Sequence, residues 1–167
     1  AATSSSFADA NKSWAAAEIA TLTNAGILKG YTDGSFRPNA AITRAEFASI
    51  AARFDKLSGG NKTFSDVPTN HWAYAAITSA AEKGWVNGYS DGTFRPSNAI
   101  TRSEVVKITN AVLGRSCDKD YVADNLSKLI SYNDLTSAYW AYYDVLEASN
   151  ALDYKVVNDV ETWVSLK

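Results

Sequence analysis

Two tetrapeptides set a positive charge beside a helix-start signal: Thr43-Arg44-Ala45-Glu46 and Thr101-Arg102-Ser103-Glu104. Thr followed three residues later by Glu is a capping box. The hydroxyl accepts the N3 amide and the carboxylate accepts the N-cap amide. Ile42 with Phe47, and Ile100 with Val105, supply the flanking hydrophobic staple. The cap accounts for Thr43, Glu46, Thr101 and Glu104, at roughly 0.5–2 kcal/mol per helix. It does not account for Arg44 and Arg102, because a cation at N1 meets the positive end of the helix dipole. Each Arg needs a counter-charge. An internal one would come from Asp66 or Asp134, each in the stretch that follows. An external one would be an anion held by the guanidinium and the helix's free amides. Each charged hydrogen bond to a carboxylate would then contribute about 1.5–3 kcal/mol. The residues alone leave both sources open.

Trp14, Trp72 and Trp140, each followed by Ala, are the second recurring group. An indole at such a place is either core or a flat apolar face for stacking on a sugar ring. Other chemistries find little support. A Ser-His-Asp site would have to use His71, the sole His, whose counterparts Ser13 and Tyr139 show no such role. Glu46 and Glu104 are occupied as caps, which leaves no evident carboxylate pair for glycoside cleavage. Asp33 lacks the acidic series of a calcium loop. One His and one Cys are too few for a zinc cage, and Cys117 alone forms no internal disulfide.

These residues sit in a repeat. At an offset of 58, 18 of the 37 positions from Trp14 to Ile50 are identical to those from Trp72 to Ile108. The match includes Gly30-Tyr31-Thr32-Asp33-Gly34-Ser35-Phe36-Arg37-Pro38 against Gly88-Tyr89-Ser90-Asp91-Gly92-Thr93-Phe94-Arg95-Pro96. Phe7-Ala8-Asp9 also matches Phe64-Ser65-Asp66. A third, worn copy aligns Tyr132-Asn133-Asp134 and Trp140-Ala141 with Phe64-Ser65-Asp66 and Trp72-Ala73, then loses both later motifs. Each copy reads as helix, loop, helix. The first helix is capped by Asn11 or Ser13, sets Trp14, Ala17, Leu22 and Ala25 roughly on one face, and ends at Gly26. The loop is a tight turn at Asp33-Gly34 with Tyr31 and Phe36 as feet in the core. The second helix carries an apolar stripe at Phe47, Ile50, Ala51 and Phe54, matched by Val105, Ile108 and Val112. Residues 55–63 and 114–124 read as polar linkers, giving repeats at 1–57, 58–115 and 116–167.

Apolar residues at 46% and charged residues at 20% describe a globular chain rather than a disordered one. No apolar run approaches a membrane span. The net charge of −2 gives no reason to expect nucleic acid. The charge is uneven: residues 1–115 hold 12 basic and 9 acidic residues (net +3), residues 116–167 hold 4 and 9 (net −5). The first part could therefore host an anionic ligand. The start, Ala1-Ala2-Thr3-Ser4-Ser5-Ser6 with no Met anywhere, fits a mature secreted chain or an excised segment.

The Phe-x-Asp…Trp-Ala, Gly-Tyr-x-Asp-Gly-x-Phe-Arg-Pro and Ile-Thr-Arg-x-Glu series resembles the S-layer homology family, over residues 7–54 and 64–112 and faintly over 132–151. The resemblance implies a mainly α protein. Three tandem helix–loop–helix modules, the third divergent, would form a pseudo-threefold bundle with grooves between neighbours. It implies a non-catalytic anchor at the bacterial cell surface, secreted, with no cofactor or metal. The partner would be a secondary cell wall polysaccharide, often pyruvylated; modified peptidoglycan and self-association within a surface layer are the alternatives. Carried over, one groove would use Thr43, Arg44, Glu46, Asp66 and Trp72. The second would use Thr101, Arg102, Glu104, Asp134 and Trp140. Trp14 and Asp9 would lack an Arg partner, and Trp163 and Val164 would fill the place of the absent last helix. Replacing Arg44 or Arg102 by Ala would weaken wall binding and leave folding nearly intact.

Overall fold

The computed structural model describes residues 5–57, 59–158 and 160–167. The chain is mainly helical and divides into two compact units, Ala1–Lys83 with Asn87–Ala99, and Gly84–Val86 with Ile100–Lys167.

The first unit holds α1 (Ala16–Asn24), α2 (Arg44–Phe54) and α3 (Tyr74–Glu82). A chain of tight turns leads into α1: the amides of Ala10, Ser13 and Ala16 donate to the carbonyls of Phe7, Ala10 and Ser13. The same build precedes α3, where Val67, His71 and Tyr74 donate to Phe64, Pro68 and His71. The helices therefore start two residues after the tryptophans. Trp14 is 93% and Trp72 66% exposed, while Ala10 and Ala73 take the buried places. Of the two readings of Trp14, core or surface face, the structure gives the surface one. Asn11 and Ser13 do not cap α1. Asn11 Oδ1 accepts the Ser5 amide, and Ser13 Oγ accepts that of Ala15. Gly26, at φ 75°, follows the last helical turn as the sequence predicts.

The first capping box forms at the start of α2: the Glu46 amide donates to Thr43 Oγ1, and the Thr43 amide to Glu46 Oε2 at 2.7 Å. The buried face of α2 shares only Ala51 with the predicted stripe. Ala45, Ala48, Ala51 and Ala52 are buried, Phe47 and Ile50 half-buried, and Phe54 exposed. Small side chains let α2 lie close against α3, whose Ile77, Ala80 and Ala81 are buried, since helix separation follows side-chain size at the contact.

The two nine-residue loops are built alike. Tyr31 and Tyr89 donate to the carbonyls of Ser35 and Thr93 at 2.8 Å, and Gly34 and Gly92 close the turn at φ 80°. Only one aromatic of each loop points inward. Phe36 packs on Phe7 and Phe94 on Phe64, with ring centroids 5.6 and 5.3 Å apart. Tyr31 and Tyr89 stay at the surface beneath Arg37 and Arg95. A Cβ at Gly30 or Gly88 would overlap the ring of Phe7 or Phe64, which explains the recurring glycine. Arg37 and Arg95 take left-handed backbone at φ 58°, a conformation costing a non-glycine residue about 1–3 kcal/mol. Asp9 holds the first loop through the amides of Phe36 and Arg37. Asp66 holds the second through those of Phe94 and Arg95, both at 2.7 Å.

The second unit holds α4 (Arg102–Leu113), α5 (Lys119–Asn125), a 3-10 turn at Leu126–Lys128, α6 (Tyr142–Ser149), β1 (Leu152–Val157) and β2 (Val160–Leu166). Thr101 and Glu104 form the predicted capping box. The segment read as a linker over 114–124 instead folds α5, because Asp118 caps it through the amides of Asp120 and Tyr121. Residues 132–145 repeat the turn pattern of 64–77: Leu135, Tyr142 and Val145 donate to Tyr132, Tyr139 and Ala141. The copies then diverge. An antiparallel hairpin follows α6, pairing Tyr154 with Trp163 and Val157 with Val160. Its four valines with Tyr154, Thr162 and Trp163 favour strands, and Asn158 turns at φ 53°. Trp163 joins a core of Val122, Leu129, Tyr142, Leu146 and Leu152, while Val164 faces out.

A buried ion cluster fastens the hairpin. Arg115 donates to both Glu161 oxygens at 2.9 and 3.0 Å and lies 2.6 Å from Glu147 on α6. Ser116 N and Trp163 Nε1 also donate to Glu161. Burial pushes Glu161 up, but the bonds from Arg115 and Ser116 prevail and hold its pKa below the usual value. Glu147 is pushed up, by burial first and then by the charge of Glu161. Its Oε2 is buried without a hydrogen-bond partner among the described residues.

Candidate functional site

The start of α2 is sealed from within its own unit. The Arg44 amide donates to Asn98 O at 2.9 Å and the Ala45 amide to Pro96 O at 3.0 Å, while the Glu46 amide takes Thr43 Oγ1. The amides expected to await an anion thus already have acceptors. The Arg44 side chain is 6% exposed and turned inward. Its Nε donates to Phe94 O and its Nη2 to Asn87 O, both at 2.9 Å, and the guanidinium lies over the rings of Tyr89 and Phe94. Backbone carbonyls therefore meet the charge that the sequence leaves unexplained. Asp66 is engaged by the loop amides described above. Glu46 is tied at both oxygens, to Thr43 N and to Tyr31 Oη.

An open cleft of about 370 Å³ lies further along the same unit, lined by Leu28, Lys29, Tyr31, Arg37, Glu46, Ser49, Arg53 and Trp72, among others. Ser49, Arg53 and Trp72 also line a neighbouring hollow, floored by Ala52, Ala75 and Ala76 and edged by Lys56. The volume falls in the range of small-ligand clefts, about 300–1,000 Å³. Arg53 is half-buried and its Nη1 donates to Ile27 O at 3.0 Å. A guanidinium has five donors, and no carboxylate among the described residues lies within ion-pair distance of this one. Burial lowers the Arg53 pKa, yet an Arg remains a cation. Arg37 is different: it is paired with Asp33 at 2.6 Å. Asp33 also accepts Ser35 N and Oγ, which with Arg37 holds its pKa well below the carboxylate range. Sequence reading passed over Arg53, Lys29 and Ser49. The one available signal was the basic residue in the last turn of α2, where it reads as an ordinary dipole partner.

In the second unit Arg102 is exposed at the first turn of α4. Thr101 and Glu104 are engaged in their cap, and Asp134 is exposed. Trp140 is 55% exposed, with Lys107 Nζ 5.8 Å from its ring. Lys107 also lies 4.0 Å from Asp144 on α6. Tyr139 Oη donates to Ser103 Oγ at 3.0 Å, and Asn110 Nδ2 to Asp144 O at 2.9 Å. Groups that could suggest an enzyme are quiet. His71 Nδ1 accepts the Ala73 amide, and its ring stacks on Trp72. Burial, then Glu147, raise the Cys117 thiol to about 12, so it stays protonated at neutral pH.

Tandem capped helices, clasped Gly-Tyr-x-Asp-Gly loops and surface tryptophans define a repeated helix–loop–helix module. The S-layer homology domain matches residues 6–48 and 63–106, and the chain belongs to that family. It is similar to "Cell surface glycoprotein 1" of Acetivibrio thermocellus, 34% identical over 94% of this chain and 7% of that protein. It is also similar to the "Cellulosome-anchoring protein" of the same organism, 36% identical over 86% of this chain and 32% of that protein. A third relative is the "Surface-layer 125 kDa protein" of Lysinibacillus sphaericus, 37% identical over 54% of this chain and 8% of that protein. The chain thus spans a third or less of each. Family and relatives place it at the bacterial cell surface. No helix among the described residues is long and apolar enough to cross a membrane.

Proposed function

We propose that the chain is a non-catalytic anchor that grips an acid-bearing wall polysaccharide, pyruvylated or otherwise carboxylated. The observation that carries this reading is Arg53: a half-buried cation without a carboxylate partner, in an open cleft beside the exposed face of Trp72. Trp72 would back a sugar ring and Arg53 would hold its carboxylate, with Lys29 adding positive field. Glu46, at the cleft wall, would accept a sugar hydroxyl. Thr43, Arg44 and Asp66 would shape the wall from behind. In the second unit Arg102, Thr101, Glu104, Asp134 and Trp140 stand at the places the family resemblance assigns to a second groove, and Trp14 is a further exposed indole. The shared turn pattern of residues 132–145 supports reading the last segment as a third module whose second half became a hairpin.

Co-sedimentation with bacterial sacculi, before and after chemical removal of the secondary polymer, tests the reading. Pelleting that vanishes with the polymer is the expected result. Pelleting that survives stripping would move the ligand to peptidoglycan. No pelleting, with concentration-dependent association of the chain itself, would replace anchoring by self-association.

A further inference from the structure

Superposing the repeats by sequence pairs Ser49 with Lys107, Ala52 with Asn110 and Arg53 with Ala111 on the second helices. It pairs Trp72 with Trp140 and Ala76 with Asp144 on the facing helices. In the first unit the floor beside Trp72 is made of short side chains, Ser49, Ala52 and Ala76, and a hollow of about 550 Å³ remains above them. In the second unit those places carry Lys107, Asn110 and Asp144. They bond to each other or across the helix gap, and Lys107 lies against the Trp140 ring. Arg53, which has no carboxylate within ion-pair distance among the described residues, has Ala111 as its counterpart.

From this juxtaposition we infer that the two tryptophan sites are not equivalent. The first is the glycan site and Arg53 reads its negative charge; the second is closed by the Lys107–Asp144 pair, and the described units hold one glycan. This rests on the anchoring reading above and deepens it. An acidic polymer is selected because Arg53 has donors to spare and no carboxylate of its own, so a neutral sugar would leave it unmatched. Trp140 is 55% exposed, but Lys107 Nζ stands 5.8 Å over its ring, in the place a sugar would take.

The test is binding of the chain to sacculi carrying their polymer, with Trp72→Ala, Arg53→Gln, Arg53→Lys and Trp140→Ala measured beside the wild type. Trp72→Ala and Arg53→Gln should each weaken binding at least tenfold. Arg53→Lys should retain more binding than Arg53→Gln, and only variants with a cation at this position should lose affinity steeply with salt. Trp140→Ala should stay within twofold of wild type. Thermal unfolding of each variant separates lost binding from lost folding, and the salt dependence of Arg53→Lys carries the point even if Arg53→Gln unfolds. Equal losses from Trp72→Ala and Trp140→Ala, or wild-type binding by a folded Arg53→Gln, would overturn the inference and leave anchoring intact. Failure of the wild type to pellet would overturn both.

Discussion

Arg44 shows how much a residue's meaning depends on what the chain brings to it. At N1 of a helix it looks like a cation awaiting an anion. In the fold it is buried among carbonyls and rings, Phe94 O and Asn87 O accepting from its guanidinium. Arg44→Ala should therefore cost about 1–3 kcal/mol, because buried carbonyls lose their donor. A lowered urea midpoint with an unchanged slope would register this. A variant as stable as wild type would show that those bonds contribute little. This reverses the expectation that such a change spares folding. Asp91 gives a second residue-scale prediction. Hydrogen bonds from Thr93, then Arg95, lower its pKa to about 2, and Asp33 shifts the same way in the other loop. A depressed carboxylate stabilises above its unfolded value, near 3.8, and the benefit is lost as pH falls toward the folded value. Loop amides, followed by hydrogen exchange, should lose protection between about pH 4 and 2. In Asp91→Asn that acid-dependent loss should shrink in the second loop alone.

At the scale of elements, the caps and clasps were written locally and the helix faces were not. Thr43, Glu46, Thr101 and Glu104 form the boxes that their spacing predicts, since both partners lie within one turn. Thr43→Val should cost about 0.5–2 kcal/mol, read as a lowered melting temperature with wall binding intact at low temperature. Gly88→Ala tests the loop packing. A methyl there meets Phe64, and the Thr93 carbonyl lies equally close, so the ring and the loop must both shift. Loss of the Phe64–Phe94 contact by NMR, with lower stability, is the expected outcome. The misread elements have one cause in common. Apolar periodicity ranked Phe47, Ile50 and Phe54 above alanines, yet a close helix pair selects for small residues. Trp14 lies at the surface because the tight turns place the helix start at Ala16.

The whole molecule adds the hairpin and its buried charges. Glu147 and Glu161 share Arg115, and removing that Arg leaves two buried carboxylates facing each other. Arg115→Ala should thus destabilise the second unit by about 3–5 kcal/mol, visible as a separate early transition or as loss of the Trp163 environment in fluorescence. The pH signature of Glu147 runs opposite to that of Asp91. Its folded pKa is raised, so the folded state binds the proton more readily, and its contribution falls as pH rises from the unfolded value through the folded one. Glu147→Gln should flatten that decline. What the sequence by itself determined was the repeat, the capping boxes, the clasped turns and hence the family, because each rests on partners a few residues apart or on a pattern copied twice. Only the tertiary structure decided which charges stay available. Arg44 and Arg53 lie on the same helix, but loop carbonyls fifty positions away cover the first, while short side chains across the helix gap leave the second facing an open cleft. Such long-range burial is set by packing, and a sequence window carries no record of it.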